Sequence, residues 1–563
     1  MLILRVTTIS TKMKCKMAEK YSKYVNELII IFISVILCAC FFNNQSNLIT
    51  DFGREVLIPS EILKGQILYK DILNIYGPLS YYINALALLV FGKNLNTFFL
   101  AGSLNCIIFS LAIYRLGLKF LNKNLSLYTT LLVSFYCLYG FGLYNYQHPY
   151  AYAMTYGVTF CAVSVLFLIS FSENKYEKDL YKAGVFTGMA VCCKIEFIPL
   201  IFVYLIILTG CKTEIKKIFR FLLFFAIPFT LFLIPFAQGL SLNDAKNVFE
   251  IIKTETTTPS VIAFSKLTGS YFDIAEYIKG AVNTAVTFGI FGILYLIFKK
   301  FESNKTLLIL LSFPFFILGL ILFSGKEFAL LPTVTAAALI VLLIIRFEVK
   351  YIILLCTALV CSGKTLFFIT LGGYGSYTLP LFLLTLIVLF NNNKQEIREN
   401  FSKFLVVFLI LIKMIPIILM YPEYNYPVKT SKGIIKTSKD WGEGIKSYID
   451  FVGKNTNSDD KILHLQEGAL LNFITDRKTD MMLYSLNLPY IETYGEDKIT
   501  GEIGKFEYIT LINGFGCYYF GKDNVYISDN PKNKIAEFIK NNYKIIYEYR
   551  KNGESIIFMK KQI

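Results

Sequence analysis

Apolar runs of about 17–25 residues, the length a helix needs to cross roughly 30 Å of hydrocarbon, recur from about Asn26 to about Met420 and then stop. The first covers about Asn26 to Phe42. Later ones cover about Asn96 to Leu116, Leu125 to Leu143, Ala151 to Phe171 and Phe221 to Ala237. The apolar stretch from Ala183 to Thr209 is broken by Lys194-Ile195-Glu196. Charge inside hydrocarbon is expensive, so a turn between two short helices is expected there. Between the first two crossings runs a long loop, Asn43 to about Leu95. Its segment Ser80 to Val90 is too short to cross and is suited to lie along the interface. Threading crossings of about 20 residues gives about thirteen spans.

Past Met420 the pattern changes. Glu443 to Val452, Ala469 to Thr475 and Lys534 to Asn541 read as helices, and Lys461 to Leu465 and Tyr508 to Ile512 as strands. Tyr543 to Arg550 and Glu554 to Met559 read as a hairpin around Asn552-Gly553. The predicted fold class is mainly α. It comprises a short N-terminal segment (1–25), a polytopic transmembrane helix bundle (26–420) with its first outer loop at 43–95, and a separately folded C-terminal α/β domain (421–563).

Composition agrees. The 563 residues are 55% hydrophobic, 16% aromatic and 17% charged, too apolar for a soluble chain of this size. The formal charge of +16 is topological. Lys and Arg crowd the N-terminal segment (Arg5, Lys12, Lys14, Lys16, Lys20, Lys23), then fall on alternate loops, which predicts a cytoplasmic amino terminus in the cytoplasmic membrane. An odd number of spans then places the tail outside. No small-residue cleavage site follows Cys40, so the first run reads as a retained anchor. The basic groups form no patch on a soluble face, and no nucleic-acid partner is expected. Most of the twelve cysteines lie in apolar runs, where Cys behaves as a small hydrophobe. Gly514, Gly516 and Gly521 lack the spacing of a nucleotide fingerprint.

The loop from 43 to 95 gathers the candidate chemistry: Asp51-Phe52-Gly53-Arg54-Glu55, Tyr69-Lys70-Asp71, Tyr76-Gly77-Pro78-Leu79, and a close on Phe91-Gly92. On the same side fall the turn from Tyr144 to Tyr150 with His148, then Lys194, Lys326 and Lys364. An apolar helix before an acidic loop, the Pro78-Leu79 segment ending in Phe91-Gly92, the small residues of Gly184 to Lys194 and a polar outer tail together resemble the GT-C superfamily of integral-membrane glycosyltransferases. Within it the likeness is to the protein O-mannosyltransferase and aminoarabinose-transferase type, glycosyltransferase family 39.

That resemblance implies transfer of a sugar from a polyprenyl-phosphate donor to a lipid, glycan or protein acceptor outside the cytoplasm, with an acidic catalytic residue in the first outer loop. Inverting displacement of phosphate needs a carboxylate to take the acceptor's proton, while phosphate leaves without protonation. Asp51 is the candidate base, and Glu55 joins it as a catalytic candidate. Arg54, Lys70, Lys194, Lys326 and Lys364 are candidates for the phosphate, and Tyr69, Asp71 and His148 for substrate. No cofactor is assigned. A divalent ion on Asp51 and His148 stays open, though one carboxylate and one imidazole from distant loops are a poor signal.

Plainer readings stand beside these. Lys194 and Lys326 read as interface anchors whose stems snorkel, His148 as a polar turn residue, and Tyr76, Tyr81 and Tyr82 as an aromatic belt. A lipid-linked-sugar flippase would place its charges at mid-membrane, and a polysaccharide polymerase or ligase would carry a large basic outer loop, whereas Gln238 to Gly280 is mixed in charge.

Overall fold

The structure is a computed structural model. It describes residues 24–44, 52–141, 144–257, 262, 265–266, 268–322, 327–345, 348–370, 373–393, 395–465, 468–484, 494–513 and 534–562. Among them, five helical stretches are long and apolar enough to cross a membrane: Leu95–Gly117, Tyr152–Asn174, Ile215–Gln238, Ile274–Phe301 and Glu396–Tyr424. Shorter apolar helices accompany them, including Val25–Phe41, Lys305–Ile321, Leu330–Ile345, Val349–Cys361 and Gly375–Phe390. The stretch broken by Lys194 forms helices Glu177–Cys193 and Pro199–Gly210, joined by a single 3-10 turn at Ile195–Phe197, as the charge pattern predicts. The run after Leu125 is shorter than expected: its helix ends at Val133 and passes through a π-turn, Ser134–Leu138.

Burial sorts the helices. The apolar windows of Leu95–Gly117 and Tyr152–Asn174 are 67% and 72% buried, against 22% for Ile274–Phe301, so the first two form the centre and the third lies at the periphery. Their polar side chains are satisfied locally. Ser103 Oγ donates to the Phe99 carbonyl and Thr129 Oγ1 to that of Leu125, as apolar surroundings require. Helix Glu177–Cys193 lies against Ile215–Ala226 through Gly184 and Gly188. A Cβ on these would come within 2.7 Å of the Phe221 carbonyl oxygen and 2.2 Å of the Phe225 carbonyl oxygen.

The long loop is a packed structure of its own. Phe52–Leu63 is helical, and the predicted interfacial segment is the helix Leu79–Phe91. That helix buries Ser80, Tyr81, Asn84 and Leu88 and exposes Leu86, Leu89, Val90 and Phe91.

In the tail, a four-stranded sheet runs in the order Ile462–Leu465, Tyr508–Asn513, Glu554–Lys561, Tyr543–Lys551, parallel in its first pair and antiparallel in the others. Asn552 and Gly553, at φ 50° and 84°, make the hairpin turn expected of an Asn-Gly pair. Helix Lys439–Asn455 offers Trp441, Ile445, Tyr448 and Val452 as one buried stripe. The tail reads as separately folded in the sequence, yet it shares a core with the first loop. Phe52, Val56 and Phe98 cluster with Trp441, Leu470 and Phe473. The Leu73 amide donates to the Met481 carbonyl and the Lys436 amide to that of Asn43. Gly53 permits the approach, since a Cβ there would stand 2.3 Å from the Leu470 nitrogen.

Candidate functional site

Where the loops meet at one end of the bundle, three cations gather among Tyr76, Tyr150 and Tyr374. The helix Phe52–Leu63 supplies Arg54 and Glu55 in its first turn. Glu55 is fully buried and committed. Its Oε2 accepts from the Tyr152 amide at 3.0 Å, and its Oε1 lies 3.4 Å from both Arg54 Nε and the Tyr81 hydroxyl. Burial raises its carboxyl above the usual range, and the adjacent Arg54 opposes that rise. Arg54 is fixed further by a bond to the Tyr150 carbonyl at 3.2 Å, and its guanidinium lies 5.3 Å from the Tyr76 ring centre and 5.7 Å from that of Tyr150.

Tyr76 owes its place to the next residue. Gly77 packs onto the backbone of Cys192 and Cys193, donating its amide to the Cys193 carbonyl at 3.0 Å. A Cβ at Gly77 would sit 2.0 Å from the Cys192 oxygen. This sets the Tyr76 ring against Lys194, whose Nζ is 5.0 Å from the ring centre, while the Tyr76 and Tyr150 hydroxyls bond at 2.9 Å. Lys194 and Lys364 are bridged by Glu196, each lysine Nζ 2.9 Å from one carboxylate oxygen. Lys364 also lies over Tyr374. Burial pushes the Lys194 ammonium down to about 7, with Glu196 opposing. Lys364 is raised, Glu196 outweighing its burial.

Arg54, Lys194 and Lys364, predicted separately, thus come together. Asp51 and Lys326 lie outside the described residues. The others are placed elsewhere. Glu55 has both oxygens engaged and no exposed surface, which suits it to hold Arg54 and not to accept a proton from a substrate. Lys70 is exposed beside Gly239, and Asp71 closes its own turn by accepting from the Ile67 amide at 2.8 Å. Tyr69 does not face the cluster with its hydroxyl. It donates to the Tyr76 carbonyl at 2.8 Å and so supports the loop from behind. His148 is buried edge-on to Phe99 with Nδ1 bonded to Asn145, and burial lowers its pKa to about 4.

The snorkelling reading of Lys194 fails, because its side chain is 3% exposed and paired. Tyr76 and Tyr81 are hydrogen-bonded members of the site, not belt residues. Sequence reasoning missed Glu196 as a partner. Its signal was the Lys-x-Glu spacing within an apolar stretch, which a 3-10 turn brings to one side. Tyr150 and Tyr374 carried no signal beyond their place in polar turns. Among the described residues no three His, Cys, Asp or Glu side chains gather as metal ligands. With Glu55 spent on Arg54 and Tyr152, and His148 turned into the core, these groups do not fit a metal centre.

The model of the dolichyl-phosphate-mannose-protein mannosyltransferase family matches residues 76–237, a segment that begins at Tyr76 and contains Tyr150, Lys194 and Glu196. The chain is also similar in structure to the Archaeoglobus fulgidus oligosaccharyltransferase tethered with an acceptor peptide, at 11% identity over 96% of this chain and 74% of that one, with a TM-score of 0.50. The chain has the GT-C glycosyltransferase fold. ArnT from Cupriavidus metallidurans bound to undecaprenyl phosphate is similar at 9% identity over 94% of this chain and 97% of that one, with a TM-score of 0.44. No curated protein matches the sequence.

The bundle also encloses apolar space. Helix Gly375–Phe390 begins inside the site, where the Tyr377 hydroxyl accepts from the Tyr150 amide at 3.2 Å. Leu379, two residues later and so on the other side of that helix, lines a space of about 70 Å³. This shares Phe288, Phe291, Leu383, Leu386 and Leu409 with a cavity of about 430 Å³ that reaches Phe390 and Phe401. The cationic, aromatic cluster suits an anionic group, and none of its residues lines the apolar cavity.

Proposed function

We propose that this chain transfers a sugar from a polyprenyl-phosphate donor to an acceptor at the outer face of the cytoplasmic membrane, with inversion at the anomeric carbon. The observation that carries the reading is the gathering of Arg54 and Lys194 on Tyr76, with Lys364 joined to Lys194 through Glu196. Three cations at a partly buried mouth favour a phosphate, which Arg can pair in bidentate fashion and Lys as a point charge. The family model over 76–237 supports a lipid-phosphate sugar donor.

In the proposed step an acceptor hydroxyl or amine attacks the anomeric carbon. The bond from that carbon to the phosphate oxygen breaks, and its electron pair leaves on the phosphate. The cations stabilise the charge that develops on the leaving group. The acceptor's proton passes to a carboxylate. Asp51 is the proposed base on its chemical type and its position directly before Phe52. Glu55 is a positioning residue for Arg54, and the tail, sharing a core with the first loop, shapes acceptor access.

The test is transfer of labelled sugar from a synthetic polyprenyl-phosphate donor by membranes carrying the wild type, Arg54→Gln or Asp51→Asn, with folded protein quantified in each. Loss of an oriented donor to developing charge costs about 10²–10³-fold, so Arg54→Gln should fall by that much. Asp51→Asn should abolish transfer while donor binding persists. Full turnover by Arg54→Gln would remove the cluster from the mechanism, and full turnover by Asp51→Asn would remove the base.

A further inference from the structure

Glu196 is the carboxylate of the cluster with a part-exposed side chain, though its Oε2, on Lys194, is buried. Its side chain is 32% exposed, against 0% for Glu55. It occupies the space between two ammonium groups, one oxygen on each at 2.9 Å, which is where the oxygens of a bound phosphate would make the same contacts. Lys194 is walled in at 3% exposure, whereas Lys364 is 38% exposed and, with Glu196, able to rearrange. With two lysines beside it, Glu196 is held ionised and does not serve as a proton acceptor.

We propose that Glu196 is a positioning residue that tunes the cluster to the charge of the donor and hastens release of the product. The inference rests on the reading of the cluster as the donor's phosphate site. The donor is a phosphodiester with one negative charge. Once the sugar leaves, the carrier is a monoester with a charge of about −1.5 to −2 at neutral pH. Among the described residues Glu196 is the carboxylate held between the two lysines, so its charge opposes every negative charge a ligand brings there. A diester meets that opposition with one charge, and a monoester with nearly two. Without Glu196 the site would carry one more positive charge and would hold the spent carrier. The carboxylate thus works against product inhibition at a site whose cations alone would favour the product.

The test is equilibrium binding by the full chain in detergent of two synthetic probes with the same chain: polyprenyl phosphate and its methyl diester. Glu196→Gln should raise affinity for the monoester about tenfold and for the diester at most about threefold. Inhibition of transfer by added polyprenyl phosphate should strengthen by the same factor. Glu196→Asp, which keeps the charge, should restore the wild-type ratio, as a purely structural role would not require. An unchanged ratio, or an equal change for both probes, overturns the proposal. Lys364→Gln gives the opposite arm should Glu196→Gln fail to fold: the monoester must weaken more than the diester, and equal weakening overturns the proposal as well. Arg54→Gln separates the two levels. If it weakens both probes while Glu196→Gln leaves their ratio unmoved, the tuning alone is wrong. If it weakens neither, the phosphate-site reading falls and the tuning with it.

Discussion

Glu55 and Glu196 both face cations within one site, and they differ in everything else. Glu55 is sealed, receives a backbone amide and a tyrosine hydroxyl, and holds an arginine that also meets a carbonyl and two aromatic rings. Glu196 sits on a 3-10 turn with about a third of its side chain exposed, between two lysines that belong to different loops. A buried charge pair is costly to break because the survivor stays buried, whereas a half-exposed one is screened and can reform with another ion. The first pair is therefore built as a fixture and the second as an exchangeable set.

The sharpest way to break this contrast is to neutralise each carboxylate. Glu55→Gln leaves Arg54 beside an amide and should destabilise the folded chain by about 3–5 kcal/mol. Glu196→Gln should cost less, about 1–3 kcal/mol, because the buried Lys194 it strands, already held at about 7, can shed its proton. Thermal unfolding of the detergent-solubilised variants measures both, and equal losses would erase the distinction.

Next in size is Gly77→Ala. Its Cβ would stand 2.0 Å from the Cys192 oxygen, so the loop must shift. The expected cost is about 1–3 kcal/mol of stability, with transfer falling because Tyr76 leaves Lys194. Normal stability and normal turnover together would show that the close approach is not needed.

The smallest effect is a pH dependence. Burial holds Lys194 down to about 7, against the pull of Glu196 and beside Lys364, Tyr76 and Arg54. Its folded pKa lies below the ordinary lysine value. The folded state therefore binds fewer protons than the unfolded one between those two values, and stability rises with pH across that window. Donor affinity moves the other way. The phosphodiester keeps one charge throughout, so loss of the Lys194 proton should raise the donor KM about three- to tenfold between pH 6 and 9. Lys194→Arg should flatten that profile, and a slope unchanged in the variant would assign the titration elsewhere.

Much of the fold was legible because its signals are local. The apolar runs, the break at Lys194, the tail's strands and the Asn552-Gly553 hairpin depend on residues adjacent in sequence, and the structure has them. The site was legible only as a set of cations. Arg54, Lys194 and Lys364 were singled out by charge and by the turns they occupy, but nothing local told Lys194 from Lys70. One is enclosed by Tyr76 and Glu196, and the other is exposed beside Gly239. Nor could charge type separate Glu55, bonded to an amide 97 residues away, from a free loop carboxylate.

The sequence by itself determined the helical bundle, the α/β tail, the placement of ionisable groups in the turns and the likeness to GT-C glycosyltransferases, because hydrophobic period and chain charge are written residue by residue. Tertiary structure alone decided which carboxylate is buried, that Glu196 joins two lysines from separate loops, and that Gly77 brings Tyr76 against Lys194. Those outcomes turn on burial and on distances of about 3 Å between residues far apart in the chain, where a side chain's surroundings, and not its identity, fix its charge and its role.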